Sequence, residues 1–85
     1  MNNKVLIKVT MLELDESFDC FIPVNEIMWR IKELILKSIS DISGTNLLTN
    51  NYIIINKDTS NIYDNNDIVI NTDIRNGTEL YFISY

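Results

Sequence analysis

The sequence predicts an α+β fold in which a mixed sheet of four to five strands wraps around one amphipathic helix. Three observations carry that prediction. Residues 4–24 alternate apolar and polar twice, with a polar break between the runs, as the arms of a hairpin do. The period then becomes helical from Ile27 to Ile42. Short β-branched runs follow, and the last stretch, Glu79 to Tyr85, alternates again. A single amphipathic helix needs one sheet face on which to bury its stripe.

In the first run, Val5, Ile7, Val9 and Met11 share one face and Leu6, Lys8 and Thr10 the other. Glu13 to Ser17 is an acidic turn. Phe18, Cys20, Ile22 and Val24 then alternate against Asp19, Phe21 and Pro23. Pro23 stands at the end of that run, where a missing N–H does least harm. Asn25 is the expected N-cap, and Glu26 in the first turn suits the helix dipole. The expected buried stripe is Ile27, Ile31, Leu34, Ile35, Ile39 and Ile42, flanked by Met28. Glu26–Arg30 and Glu33–Lys37 have the favourable i,i+4 order. Gly44 is the expected stop.

Leu47 and Leu48 are expected to fold back onto the core. Tyr52-Ile53-Ile54-Ile55 is a short strand, and Ile62 and Tyr63 suggest another. Asp64 to Asp67 is a turn, Ile68 to Ile70 a short apolar piece, and Asn71 to Ile74 a tight or one-turn helical piece with Ile74 inward. Asn76-Gly77 marks a further turn before the last strand. The first and last strands are expected side by side and parallel at the centre, joined by a crossover through the helix. That order is the β-grasp architecture, and 85 residues predict one domain, 1–85.

The net charge of -5 with a pI near 4.4 argues against nucleic acid and against docking on an anionic membrane. The single cysteine precludes an internal disulfide and points to a reducing compartment. No apolar run approaches the roughly 20 residues of a membrane span, and Met1 to Lys4 lead into a strand rather than a signal peptide. The expected location is cytoplasmic.

Ile53-Ile54-Ile55 resembles the third strand of ubiquitin. Asn71 to Ile83 resembles that family's succession of polar turn, inward isoleucine, polar turn and final strand. Chain size, the strand a few residues from Met1, and the Asp/Asn-rich segment before Ile74 are similar to the YukD/EsaB type of ubiquitin-like protein. The resemblance implies a cytosolic bacterial protein associated with type VII (Ess-like) secretion.

The composition offers little to chemistry. There is no histidine, the usual general base and zinc ligand. Cys20 falls in phase with apolar neighbours and beside Asp19, which predicts an inert core thiol. Glu13, Asp15, Glu16 and Asp19 suggest a solvated hairpin tip rather than a calcium loop, and Asp58, Asp64 and Asp67 likewise suggest solvated turns. No enzyme activity, catalytic residue, metal or cofactor is expected.

Two apolar surfaces are left as candidate sites for a protein partner. With Val5, Ile7, Val9, Ile53, Ile55, Leu80 and Phe82 facing the helix, the open sheet face would carry Leu6, Ile54, Tyr81, Ile83 and Tyr85, with Tyr52 as a further member. Ile54, Tyr81 and Ile83 resemble the patch through which ubiquitin meets its receptors. On the helix, Trp29 and Leu36 would lie opposite the buried stripe and make a partner or homodimer contact, unless the loop after the helix, or Leu47 and Leu48, covers Trp29. The leading expectation is a non-catalytic interaction module of a type VII secretion system. The alternatives are a β-grasp adaptor, immunity or scaffold protein unrelated to secretion, and a covalent modifier or sulfur carrier. The last is disfavoured because no Gly-Gly pair is present and the sequence ends on its last strand.

Overall fold

The computed structural model describes residues 3–44, 47 and 51–85. In chain order it comprises β1 (Lys4–Met11), β2 (Glu16–Pro23), α1 (Met28–Ser43), β3 (Tyr52–Asn56) and β4 (Glu79–Ser84), with a 3₁₀ turn at Val69–Asn71. The strands form one mixed sheet in the order β2-β1-β4-β3. β1 and β4 are parallel neighbours at its centre, and both outer pairings are antiparallel. This is the ubiquitin-like β-grasp fold.

The core lies between α1 and one face of the sheet. Ile7, Val9, Met11, Ile22, Leu80 and Phe82 enter it from the strands, as alternation predicts. Ile74 is buried inward from its turn, and Leu47 is buried with its N–H held by Ser40 Oγ at 3.0 Å. Leu48 lies outside the described residues.

β3 runs in the opposite phase to that expected. Tyr52, Ile54 and Asn56 are buried, and Ile53 and Ile55 point to the open face. Three consecutive isoleucines carry no alternation of their own. The phase follows from what flanks them. Tyr52 has an apolar body for the core, where its ring lies 6.3 Å from that of Phe82, and a hydroxyl that reaches Glu13 at the rim. Asn56 closes the loop after the strand, its Oδ1 accepting from the N–H groups of Asp58 and Thr59. Both need the inward side, so Ile54 must follow.

The helix also differs from its sequence reading. Its buried face is Met28, Ile31, Ile35, Leu36 and Ile39, whereas Leu34 and Ile42 are exposed. Lys32, one turn before Leu36 on the same flank, donates to the Tyr52 carbonyl at 2.8 Å. That flank therefore faces the start of β3, and Leu36 is covered there. Asn25 is not the cap. Helix entry is at Ile27, without a side-chain cap. Instead Met28 and Trp29 donate to the carbonyls of Asp67 and Asn65, at 2.7 and 3.1 Å. The loop carbonyls thus satisfy N–H groups that every helix start leaves open. Of the two anticipated ion pairs, Arg30–Glu26 forms at 3.8 Å. Gly44 ends the helix in the left-handed region at φ 74°, donating to Ser40 O.

A polar cluster ties the irregular segment to the turn before β4. Tyr63 donates its hydroxyl proton to Asp73 Oδ1 and accepts from Asn56 Nδ2 at 3.1 Å. Asn61 Nδ2 and Thr59 Oγ1 donate to Asp73 Oδ2, at 2.8 and 3.2 Å. Burial first, then the bond to Asp73, pushes the Tyr63 phenol up from 10.0 to about 12. The same bond, first among several, holds the Asp73 carboxyl below its ordinary value of 3.8. Tyr63 stays protonated in the folded chain after the unfolded chain has begun to ionise. Its contribution to stability is therefore complete below pH 10.0 and is lost as pH rises towards about 12. That of Asp73 is complete above the unfolded value of 3.8 and is lost as pH falls through the lower folded one. Urea unfolding measured from pH 9 to 12 is expected to show a falling midpoint, with the loss smaller in Tyr63→Phe. An equal loss in both proteins would show that the cluster does not set the alkaline limit.

Candidate protein-docking surfaces

On the open face, each antiparallel or parallel pairing places side chains in rows across the strands. Leu6 stands opposite Phe21 at one end. The next row is charged: Asp19, Lys8 and Glu79, extended by Lys57, whose Nζ lies 3.4 Å from Glu79 Oε1. Beyond it, Ser17, Thr10, Tyr81 and Ile55 form a third row, and Ile83 pairs with Ile53 in a fourth. Ile62 continues the third row through an antiparallel bridge to Ile55 and is 64% exposed. Ile53, Ile55, Ile62, Tyr81 and Ile83 are thus contiguous, with a charged border on one side.

This patch differs in membership from the one the sequence suggests. Tyr81 and Ile83 are in it. Ile54, only 2% exposed, and Tyr52 are in the core and cannot meet a partner. Leu6 is exposed but separated from the patch by the charged row. Tyr85 is exposed just beyond β4, its N–H donating to Asn51 O at 3.0 Å. Ile53 and Ile55 were hidden from sequence reading by the uniform isoleucine run. Ile62 was hidden because its place depends on a bridge between segments.

The helix surface divides in the same way. Trp29 is 43% exposed, whereas Leu36 is buried at 4%, so the two do not form a common surface. Cys20 is half-buried against the core, and burial first, then the Asp19 charge, raises its thiol above the ordinary value. That environment favours the protonated, unreactive form. Among the described residues, no three His, Cys, Asp or Glu side chains are grouped to hold a metal ion, and no helix is long and apolar enough to cross a membrane.

The architecture defines the molecule as a protein of the ubiquitin-like fold, and comparison with solved structures agrees. The chain is similar over 99% of its length to part of a chain in an ESX-5 inner membrane complex, with TM-score 0.76 and 14% identity. It spans about a fifth (21%) of that chain. It also matches the solution structure of an N-terminal ubiquitin-like domain, with TM-score 0.68, 18% identity, and coverage of 100% of this chain and 78% of the other. A chain of a toluene 4-monooxygenase complex has TM-score 0.68 at 2% identity, with 96% and 99% covered. At these identities the likeness is one of fold. No family model matches, and no curated protein matches.

Proposed function

We propose that this chain is a non-catalytic, ubiquitin-like accessory or regulatory protein of a bacterial type VII secretion system. It acts in the cytoplasm by binding a protein component of the machine, without covalent conjugation. The observation that carries this proposal is the contiguous apolar patch of Ile53, Ile55, Ile62, Tyr81 and Ile83. An aromatic and branched aliphatic cluster beside a charged border has the make-up of a protein interface. The fold likeness to part of an ESX-5 complex chain supports the choice of machine, and the sequence, which lacks histidine, supports binding over catalysis.

The patch is tested by pull-down from cells that carry such a system, with wild type against Ile53→Asp/Ile83→Asp. Both substituted positions point outward, so the double variant is expected to fold and to lose at least about tenfold in recovery of a secretion component, as truncated interface anchors do. Unchanged recovery would exclude the patch. Recovery of unrelated proteins alone would favour an adaptor outside secretion, a reading consistent with the occurrence of the same fold in a toluene 4-monooxygenase complex.

A further inference from the structure

The sheet has two edges, and they are finished differently. At β3, Asn56 N–H donates to Asn61 O at 2.8 Å and Tyr63 N–H to Ile54 O at 3.1 Å, so the segment 61–63 covers that edge. β2 has no such cover among the described residues. Its backbone alternates between groups that face β1 and groups that face away. Val24 N–H donates to Asn3 O, which places the even-numbered residues of β2 on the β1 side. The N–H and C=O groups of Ser17, Asp19 and Phe21 are therefore directed outward. Pro23, with no N–H, ends the run.

Beneath this edge, α1 stands away from the strand. Leu34 and Ile42, the latter 72% exposed, face Phe18 and Cys20 across a groove of about 410 Å³. The groove is apolar, and among the described residues Asp19 is the one charged residue that lines it.

We propose that the β2 edge and this groove receive an extended segment of a partner protein, apolar at alternate positions and basic at the positions between. The outward backbone pairs select an extended chain over a helix or a lipid tail, because only a strand presents matching N–H and C=O groups at that spacing. Side chains of an added strand alternate in direction. Those turned under the sheet meet Phe18, Leu34 and Ile42, and those on the open side meet Asp19. Glu16 begins β2, Asp15 precedes it, and the strand itself has no lysine or arginine. With Lys8 of β1 opposite Asp19, the edge still carries net negative charge, so the complementary charge is positive. A second copy pairing antiparallel about Asp19 would set the two Asp19 carboxylates against each other, and no register brings a lysine or arginine of β2 opposite them, which disfavours self-association. This surface is distinct from the Ile53–Tyr81 patch, so the two proposals stand or fall separately.

The probe is a blocked seven-residue peptide of alternating lysine and isoleucine, compared with its glutamate–isoleucine counterpart in an NMR titration of the isotopically labelled protein. Saturable shifts are expected at the amides of residues 17–22 and the methyls of Leu34 and Ile42. Slower hydrogen exchange is expected at Ser17, Asp19 and Phe21. The glutamate peptide is expected to bind at least about tenfold more weakly, and Asp19→Lys to reverse that order. Ile42→Asp, at an exposed position, is expected to keep the native spectrum and to weaken the lysine peptide about tenfold. No saturable shift at millimolar peptide, equal binding of the two peptides, or shifts centred on Ile53 and Tyr81 would each overturn the proposal. So would concentration-dependent dimerisation that protects the same amides without peptide, since a second copy would then be the occupant.

Discussion

Phe82→Ala is expected to leave the domain mostly unfolded, or near its midpoint, under conditions where the wild type is folded. Phe82 is fully buried in β4, opposite Met11 of β1 on one side and Ile54 of β3 on the other. Its ring also meets Tyr52 in a tilted pair. Removing a buried phenylalanine side chain costs about 3–5 kcal/mol, part in transfer free energy and part in the cavity left behind. A small domain has a total of only about 5–15 kcal/mol. At about 4–8 °C per kcal/mol for a domain of this size, the melting midpoint should fall by tens of degrees. Ile83→Ala, at the next residue on the half-exposed face, is expected to cost about 1 kcal/mol or less. Urea unfolding of the pair would check both values. A loss at Phe82 no larger than at Ile83 would show that β4 does not centre the core.

Much of the fold was legible because β1, β2 and β4 alternate cleanly. Val9 against Lys8 and Phe82 against Tyr81 assign each strand its two faces without reference to a partner. The parallel β1–β4 pairing followed from the need to cover one helix with one sheet. Helix rotation was less legible, because Ile, Leu and Met surround α1 on more than half its circumference. Periodicity places Leu34 in the stripe as readily as Leu36. What decides is which flank has a neighbour: the start of β3 lies beside Lys32 and Leu36, while the β2 flank is left as a groove. The two docking surfaces were therefore only partly legible. Tyr81 and Ile83 could be found from strand phase, but Ile62 and the groove exist only once distant segments are placed.

The sharpest consequence concerns two adjacent residues of identical type. Ile54→Asp is expected to abolish folding, whereas Ile55→Asp should leave the fold intact and disturb only the open face. Ile54 is buried and pairs across the sheet with Phe82, while Ile55 pairs with Tyr81 on the exposed side. A carboxylate at 54 would have no charge partner in an apolar core, and it would either stay desolvated or take up a proton. Together with the lost packing, such a change costs on the order of 4–5 kcal/mol. At 55 the carboxylate reaches water, though it interrupts the row from Tyr81 to Ile62. The two variants separate stability from recognition. Ile54→Asp would lose partner binding because it is unfolded, and Ile55→Asp because the patch is broken, with its circular dichroism and unfolding midpoint close to wild type. If instead Ile55→Asp unfolded and Ile54→Asp did not, β3 would be shifted by one residue. Tyr52 and Asn56 would then both leave the core, taking with them the contact to Glu13 and the closure of the loop over Asp58 and Thr59.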